Sequence, residues 1–213
     1  KMSEIRVENI IGETGTDAVK FTKGINATGI VTATSFSGTV PSSNLSGALP
    51  AISGANLTGI SAGLFSSYAI ITHEKSNNTH GSSLSTGNYL DRELNTEVAD
   101  PDGIVSISSN QFTLQAGSYL IESMSIIHRG NQSQSRLYNV TDSSVVQYGM
   151  SVHSSDGNSG NVLSPVVARV TIGSAKAFRI ESRVSNTDGE NSGLANNFGN
   201  TQIYTIIKIF KEN

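Results

Sequence analysis

Two segments of this chain are apolar on both faces of a strand, and that restricts the available folds more than any other feature. In "QIYTIIKIF", residues 202–210, Ile203, Ile207 and Ile209 project one way, and Tyr204, Ile206 and Phe210 the other. In "GSYLIESMSII", residues 117–127, Tyr119, Ile121 and Ile127 oppose Leu120, Met124 and Ile126. A strand in an antiparallel sandwich needs only one dry face. The second face requires a cover, and the rest of the sequence offers no helix to provide one.

Between 65 and 213 the β-branched and apolar runs "SSYAIITHE", "GIVSISS", "QFTLQ", "SRLYNV", "SVVQYGMSV", "SPVVARVTI" and "AFRIESRVS" accompany those two segments, separated by Gly, Ser, Asn and Asp. Eight to ten strands with no helical pattern between them predict an antiparallel sandwich, all-β in class. Charged residues are only 15% and aromatics 6% of the chain, so the helix formers Glu, Lys, Ala and Leu do not dominate anywhere.

Residues 24–64 differ in texture. Val40, Leu45, Leu49, Ile52, Leu57 and Ile60 are spaced by three to five residues among Gly, Ala and Ser, a spacing that fits neither strand nor helix. "NLSG" at 44–47 and "NLTG" at 56–59 repeat one turn-like unit. So few large side chains cannot bury a core within one chain. Two solutions are a flexible linker, or an elongated, intertwined β-rich stalk whose Leu45, Leu49, Ile52, Leu57 and Ile60 meet their copies on a shared axis. The reading adopted is the stalk, giving an attachment segment at 1–23, a trimeric stalk at 24–64 and a head domain at 65–213.

A net charge of −3 with scattered Lys and Arg argues against nucleic acid and anionic membranes as partners. The chain has no cysteine, which excludes thiolate metal sites, disulfides and cysteine nucleophiles. No run of 18 apolar residues is present, so membrane insertion is not expected, and "KMSEIRV" has no signal-peptide core. His73, His80, His128 and His153 lack metalloprotease spacing and are expected on rims or in loops. No G-x-S-x-G elbow, P-loop or dinucleotide fingerprint occurs, so no catalytic residue is assigned. The carboxylate pairs Asp91 with Glu93 and Asp100 with Asp102 are expected to be solvated. No metal site is assigned; calcium in the Asp156 or Asp188 loops, where Asp-Gly stands in polar surroundings, is an open alternative.

The order "FTLQAGSYLIESMSI", "RLYNV", "VVARVTIGSAKAFRIES" and a terminal "IYTIIKIF" resembles the jelly-roll head of the tumour-necrosis-factor and complement globular-head superfamily. It departs at the end, where "NTQIYTIIKIF" replaces a Phe-Ser-Gly type motif. Residues 1–64, with "SEIRVENI", "TATSFSG" and "LSGALPAISGANLTGI", are similar to the shaft and attachment segments of small tail-fibre proteins of marine tailed bacteriophages. Both resemblances imply a homotrimer. They imply a virion fibre, on a tail or other external appendage, joined to other virion proteins through its N-terminus and binding a host surface glycan or protein through its head. Alternatives are a tail-associated glycan-degrading enzyme and a non-viral secreted lectin or adhesin-like trimer. Tyr119, Tyr204, Ile206 and Phe210 are the expected axis-facing residues of the head.

Strand counting places the receptor surface. Successive connections of an antiparallel sandwich alternate ends, so the long connections near 129–134, 153–161 and 185–201 are expected at one end and the short turns at the other. The expected receptor-binding residues are Arg129, Asn131, Gln132, Asp156, Asn158, Asp188, Glu190, Asn191, Asn196 and Phe198.

Overall fold

The structure is a computed structural model describing residues 63–154 and 160–213, with Thr28 alone before them. The expected stalk residues Leu45, Leu49, Ile52, Leu57 and Ile60 and the loop residues Asp156 and Asn158 lie outside the described residues.

Eleven strands follow in order: β1 (Phe65–Lys75), β2 (Leu90–Asp91), β3 (Thr96–Ala99), β4 (Val105–Ser108), β5 (Gln111–Leu114), β6 (Gly117–His128), β7 (Gln132–Asn139), β8 (Ser144–His153), β9 (Asn161–Ile172), β10 (Lys176–Val184) and β11 (Gln202–Glu212). They form two antiparallel sheets, β3-β1-β11-β6-β9 and β4-β5-β10-β7-β8, with β2 on β10. Neighbours such as β11 between β1 and β6, or β10 between β5 and β7, are far apart in sequence. This crossing of the chain between two sheets makes the sandwich a jelly roll.

Alternation decides which side chains enter. Tyr119, Ile121, Ser123, Ser125 and Ile127 of β6 are buried, while Leu120, Glu122, Met124 and Ile126 face outward. On β11 the pattern is interrupted: Thr72 pairs with Ile206 and His73 with Thr205, but Glu74 pairs with Ile203. The extra residue is a bulge that carries Tyr204 inward beside Thr205 and turns Ile203 out to solvent. Two expectations are corrected, Tyr204 by this bulge and Tyr119 by the regular alternation of β6. Tyr204 is buried, donating its hydroxyl to Thr79 O at 2.8 Å, and Tyr119 lies in the core with its hydroxyl on Gln115 O at 3.1 Å. Neither faces an outer surface. Ile206 and Phe210 do, half-buried beside Met124 and Leu120 of β6 and Thr72 and Tyr68 of β1.

The interior changes character along the strands. The main apolar cluster, with Phe112 and Phe178 stacked at 5.8 Å among Leu114, Tyr119, Ile121 and Ile209, fills the end where β1 begins and β11 finishes. A small second cluster of Leu84, Ile127 and Val184 lies at the opposite end. Between and around them the buried residues are polar: Ser123, Ser125, Ser135, Ser164, Ser182, Thr205, His73 and Arg92.

Candidate functional site

The connections β6–β7, β8–β9 and β10–β11 fall at one end, together with the β1–β2 connection; the short turns after β5, β7 and β9 fall at the other. We refer to these ends as apical and basal. The last strand runs from apex to base, where Asn213 N donates to Leu64 O at 3.3 Å.

The apical loops are held by their own backbone. In the β6–β7 turn, Arg129 and Asn131 adopt left-handed φ of 49° and 54°. Gly130 between them is needed because a Cβ there would strike Ser133, Ile127 and Val184 within 2.8 Å. Ser185 N donates to Gly130 O and Gln132 O, and Asn186 Nδ2 to Arg129 O at 2.9 Å. Asn131 and Ser154 exchange two hydrogen bonds at 2.9 and 3.0 Å. The β6–β7 turn, the start of the β10–β11 loop and the end of β8 thus form one hydrogen-bonded cap.

Asn191 organises the longest loop. Its Oδ1 accepts from Asp188 N at 2.6 Å and Leu84 N at 3.3 Å, and its Nδ2 donates to His128 O at 2.8 Å. Expected on the receptor surface, it is instead fully buried, because every side-chain bond it can make goes to the backbone. Asp188 and Glu190 project from the turn that Asn191 fixes. Asp188 Oδ2 stands 3.6 Å from Arg129 Nη1, and Glu190 Oε1 3.6 Å from His80 Nε2. Further along, Asn196 and Phe198 are exposed, Phe198 to 81%. Of the expected apical residues, the structure brings Arg129, Asp188 and Glu190 together, while Asn131 is tied to Ser154. Gln132 stands apart, on a groove of about 520 Å³ whose lining includes Tyr89, Gln134, His153 and Arg183. Among the described residues no Asp or Glu lines that groove, so they do not form the two-carboxylate arrangement of a glycosidase in it.

The other carboxylates singled out in the sequence have structural partners. Asp100 accepts Ile104 N at 2.8 Å and Val105 N at 2.9 Å; Asp102 accepts Ser67 Oγ at 2.6 Å. Asp91 accepts Asn110 Nδ2 at 3.1 Å. Glu93 is met by Lys75 Nζ at 2.7 Å and by Ser82 Oγ. Burial alone would raise the Glu93 carboxyl, but these hydrogen bonds and the neighbouring His73 hold it below its ordinary value.

Three buried charge-bearing groups had no sequence signal. His73, expected on a rim, is fully enclosed; its Nε2 lies 2.9 Å from Glu93 Oε2 but out of line for a hydrogen bond, and burial lowers its pKa to about 4. Arg92 is wholly buried, donating Nε to Thr205 Oγ1 at 3.2 Å and Nη2 to Ser192 O and Tyr204 O at 2.8 and 3.3 Å, and burial lowers its pKa to about 10. Glu181, on the outer face of β10, is hidden between Arg136 at 2.5 Å and Arg179 at 2.5 Å. Arg136 in turn lies 3.9 Å from the Tyr89 ring centroid. Such arrangements are invisible to periodicity, which treats a charged residue as solvated.

The second surface of note is the outer face of the sheet β3-β1-β11-β6-β9. Leu163 and Val167 of β9 are 57% and 58% exposed, Tyr68 of β1 45% and Met124 of β6 37%, with Ile206 and Phe210 between them. Across its middle runs one pair, Lys208 with Glu122 at 3.6 Å.

No protein-family model matches the chain, and no curated protein matches it. Among solved structures it is similar to the globular domain of a zebrafish complement 1qA protein at 12% identity, TM-score 0.43, over 68% of this chain and 95% of that one. It is similar to Eiger TNF from S. frugiperda at 12% identity, TM-score 0.48, over 68% and 92%. Murine APRIL aligns at 9% identity, TM-score 0.43, over 68% and 98%. The fold assignment itself rests on the strand order: two five-membered antiparallel paths, with β11 and β10 central in their sheets, make the described residues an all-β jelly-roll sandwich.

Proposed function

We propose that this protein is a homotrimeric structural fibre of a virion, carried on a tail or other external appendage, whose C-terminal head binds a host-cell surface glycan. The observation that carries the reading is the outer face of the five-stranded sheet. Leu163, Val167, Met124, Ile206, Phe210 and Tyr68 form an apolar surface crossed by two ion pairs, Lys208 with Glu122 and, at the basal end, Arg169 with Glu212. A face of this kind on a sandwich with no helix among the described residues to cover it calls for copies of the same chain. The texture of residues 24–64, too poor in large side chains for a private core, asks for the same shared axis.

The N-terminal segment 1–23 then joins other virion proteins, and the apical cap, at the far end of the head from Phe65, meets the host. Arg129, Gln132, Asn196 and Phe198 offer the planar amides, the guanidinium and the aromatic ring on which sugars are held. Three copies would multiply weak sites into avidity.

Light scattering at micromolar concentration should return three times the chain mass of 22.4 kDa, and Ile206→Asp should abolish that species. A monomer of 22.4 kDa would refute the assembly. With the trimer intact, Phe198→Ala and Asn196→Ala should each weaken adsorption to host cells by roughly 1–2 kcal/mol per site. Unchanged adsorption with both replaced would remove the receptor assignment.

A further inference from the structure

We propose that the apical cap binds a divalent transition-metal ion, of the zinc or manganese class, between His128 of β6 and Asp188 and Glu190 of the β10–β11 loop. A ring nitrogen of His128 and one carboxylate oxygen from each acid lie within 4.8 Å of one another. His128 is fully buried. Its Nδ1 is 2.8 Å from Asn161 Oδ1, an atom that can only accept, so Nδ1 carries a proton and, in the neutral ring, Nε2 carries the lone pair. That Nε2 is enclosed and makes no hydrogen bond among the described residues. Nδ1 is taken by Asn161, which leaves the unpartnered Nε2 as the ring atom free to meet an ion held by the two carboxylates. A cation satisfies all three, and a histidine whose other nitrogen donates to a side-chain oxygen is already oriented as a ligand.

The neighbours do not remove this requirement. Arg129 Nη1 is 3.6 Å from Asp188 Oδ2, too far for a hydrogen bond. His80 Nδ1 accepts Ala195 N at 3.1 Å, so its Nε2, 3.6 Å from Glu190 Oε1, carries a proton and is not a ligand in that state. One neutral imidazole and two carboxylates balance a divalent charge; the nitrogen favours zinc over calcium and magnesium, and the two carboxylates also suit manganese. Ligands on a tetrahedral zinc ion stand about 3.4 Å apart, so the carboxylates must close in by roughly 1 Å. Both are partly exposed and flank Gly189, whose surroundings are open, while Asn191 holds the turn beneath them. The ion would tie the longest apical loop to the end of β6. The proposal stands independently of the host-binding reading.

The test uses the full untagged chain after chelation, titrated with zinc, manganese, calcium and magnesium by calorimetry and thermal melting, and with cobalt by visible absorption. One zinc per chain is expected, with a melting temperature that rises with zinc concentration and a cobalt spectrum showing nitrogen ligation. Glu190→Gln and Asp188→Asn should each lower zinc affinity about tenfold or more without changing assembly mass or circular dichroism. His128→Gln should abolish binding; the two carboxylate variants decide the matter if it does not fold. His80→Gln should bind zinc as the parent does. No saturable zinc binding, equal binding of calcium, or binding unchanged in Glu190→Gln and Asp188→Asn would each overturn the site.

Discussion

The basal and apical halves of the sandwich are built by the same strands on opposite principles. At the base, Phe112, Phe178, Leu114, Ile121 and Ile209 pack side chain against side chain, and the connections are short turns. At the apex the same strands continue with Ser125, Ser135, Ser182 and Thr205, and a buried guanidinium, Arg92, fills space that an apolar side chain occupies below. Apolar packing tolerates no particular orientation of dipoles, whereas a buried hydroxyl layer stabilises only when each member finds its partner. The base therefore supplies stability and the apex supplies a fixed arrangement of loops. Binding surfaces on rigid β-scaffolds need both.

That division implies an ordering of mutational cost. The largest loss is expected in the basal core, where Phe178→Ala removes a stacked ring 5.8 Å from Phe112 and leaves a cavity enclosed by both sheets. Denaturant unfolding should show a loss of about 3–5 kcal/mol. An effect below that of an apical serine substitution would dissolve the contrast between the halves.

The apical interior should reveal itself through pH. His73 is ordinarily protonated below 6.5, but burial lowers its folded value to about 4. Between those values the unfolded chain binds a proton that the folded chain refuses, so stability falls as pH drops through the window. The contribution is complete above 6.5 and amounts to about 3 kcal/mol lost by pH 4. His73→Gln should flatten the stability difference between pH 7 and pH 4 by that order, measured against the parent under the same conditions. An identical pH profile in the variant would place the acid sensitivity elsewhere.

Close backbone approach is the next test. Gly193 has φ of +147°, and a Cβ there would lie 2.0 Å from the Tyr204 ring. Gly193→Ala should cost about 2 kcal/mol, because Tyr204 cannot withdraw without breaking its bond to Thr79 O. The basal Gly173 meets nothing within 4 Å, so Gly173→Ala should be close to neutral by the same unfolding assay.

The two halves were also unequally legible in the sequence. Basal strands alternate strictly, so the burial of Ile121, Ile207 and Ile209 follows from spacing alone. The apolar outer face follows too, since Leu120, Met124, Ile206 and Phe210 fall on the opposite parity. The bulge at Tyr204 was not legible, because an extra residue on one strand is set by its partner's register across 130 positions of sequence. Spacing places His73 on a rim and Asn191 on the receptor surface, since each carries a polar ring or amide, and offers no signal for Arg92. Their burial depends on carbonyls contributed by loops remote in the chain. The placing of Arg129, Asp188 and Glu190 at one end was legible through strand counting, which needs only the order of strands and turns.

The smallest expected effect is the most specific to the apical design. Ser135 Oγ and Ser182 Oγ lie 2.8 Å apart, both fully buried on facing positions of β7 and β10. Replacing either by alanine strips the other of its partner while keeping it out of water, and each single change should cost about 1 kcal/mol. Replacing both removes donor and acceptor together, so the double variant should cost less than the sum, with a coupling of about 1 kcal/mol in a double-mutant cycle. Basal packing predicts the reverse behaviour for Phe112→Leu and Phe178→Leu, where each truncation opens space and the pair gains nothing from being changed together. Additive serine costs would mean that the hydroxyls are satisfied independently, by water or by backbone, and that the apical layer is a collection of separate bonds rather than a network.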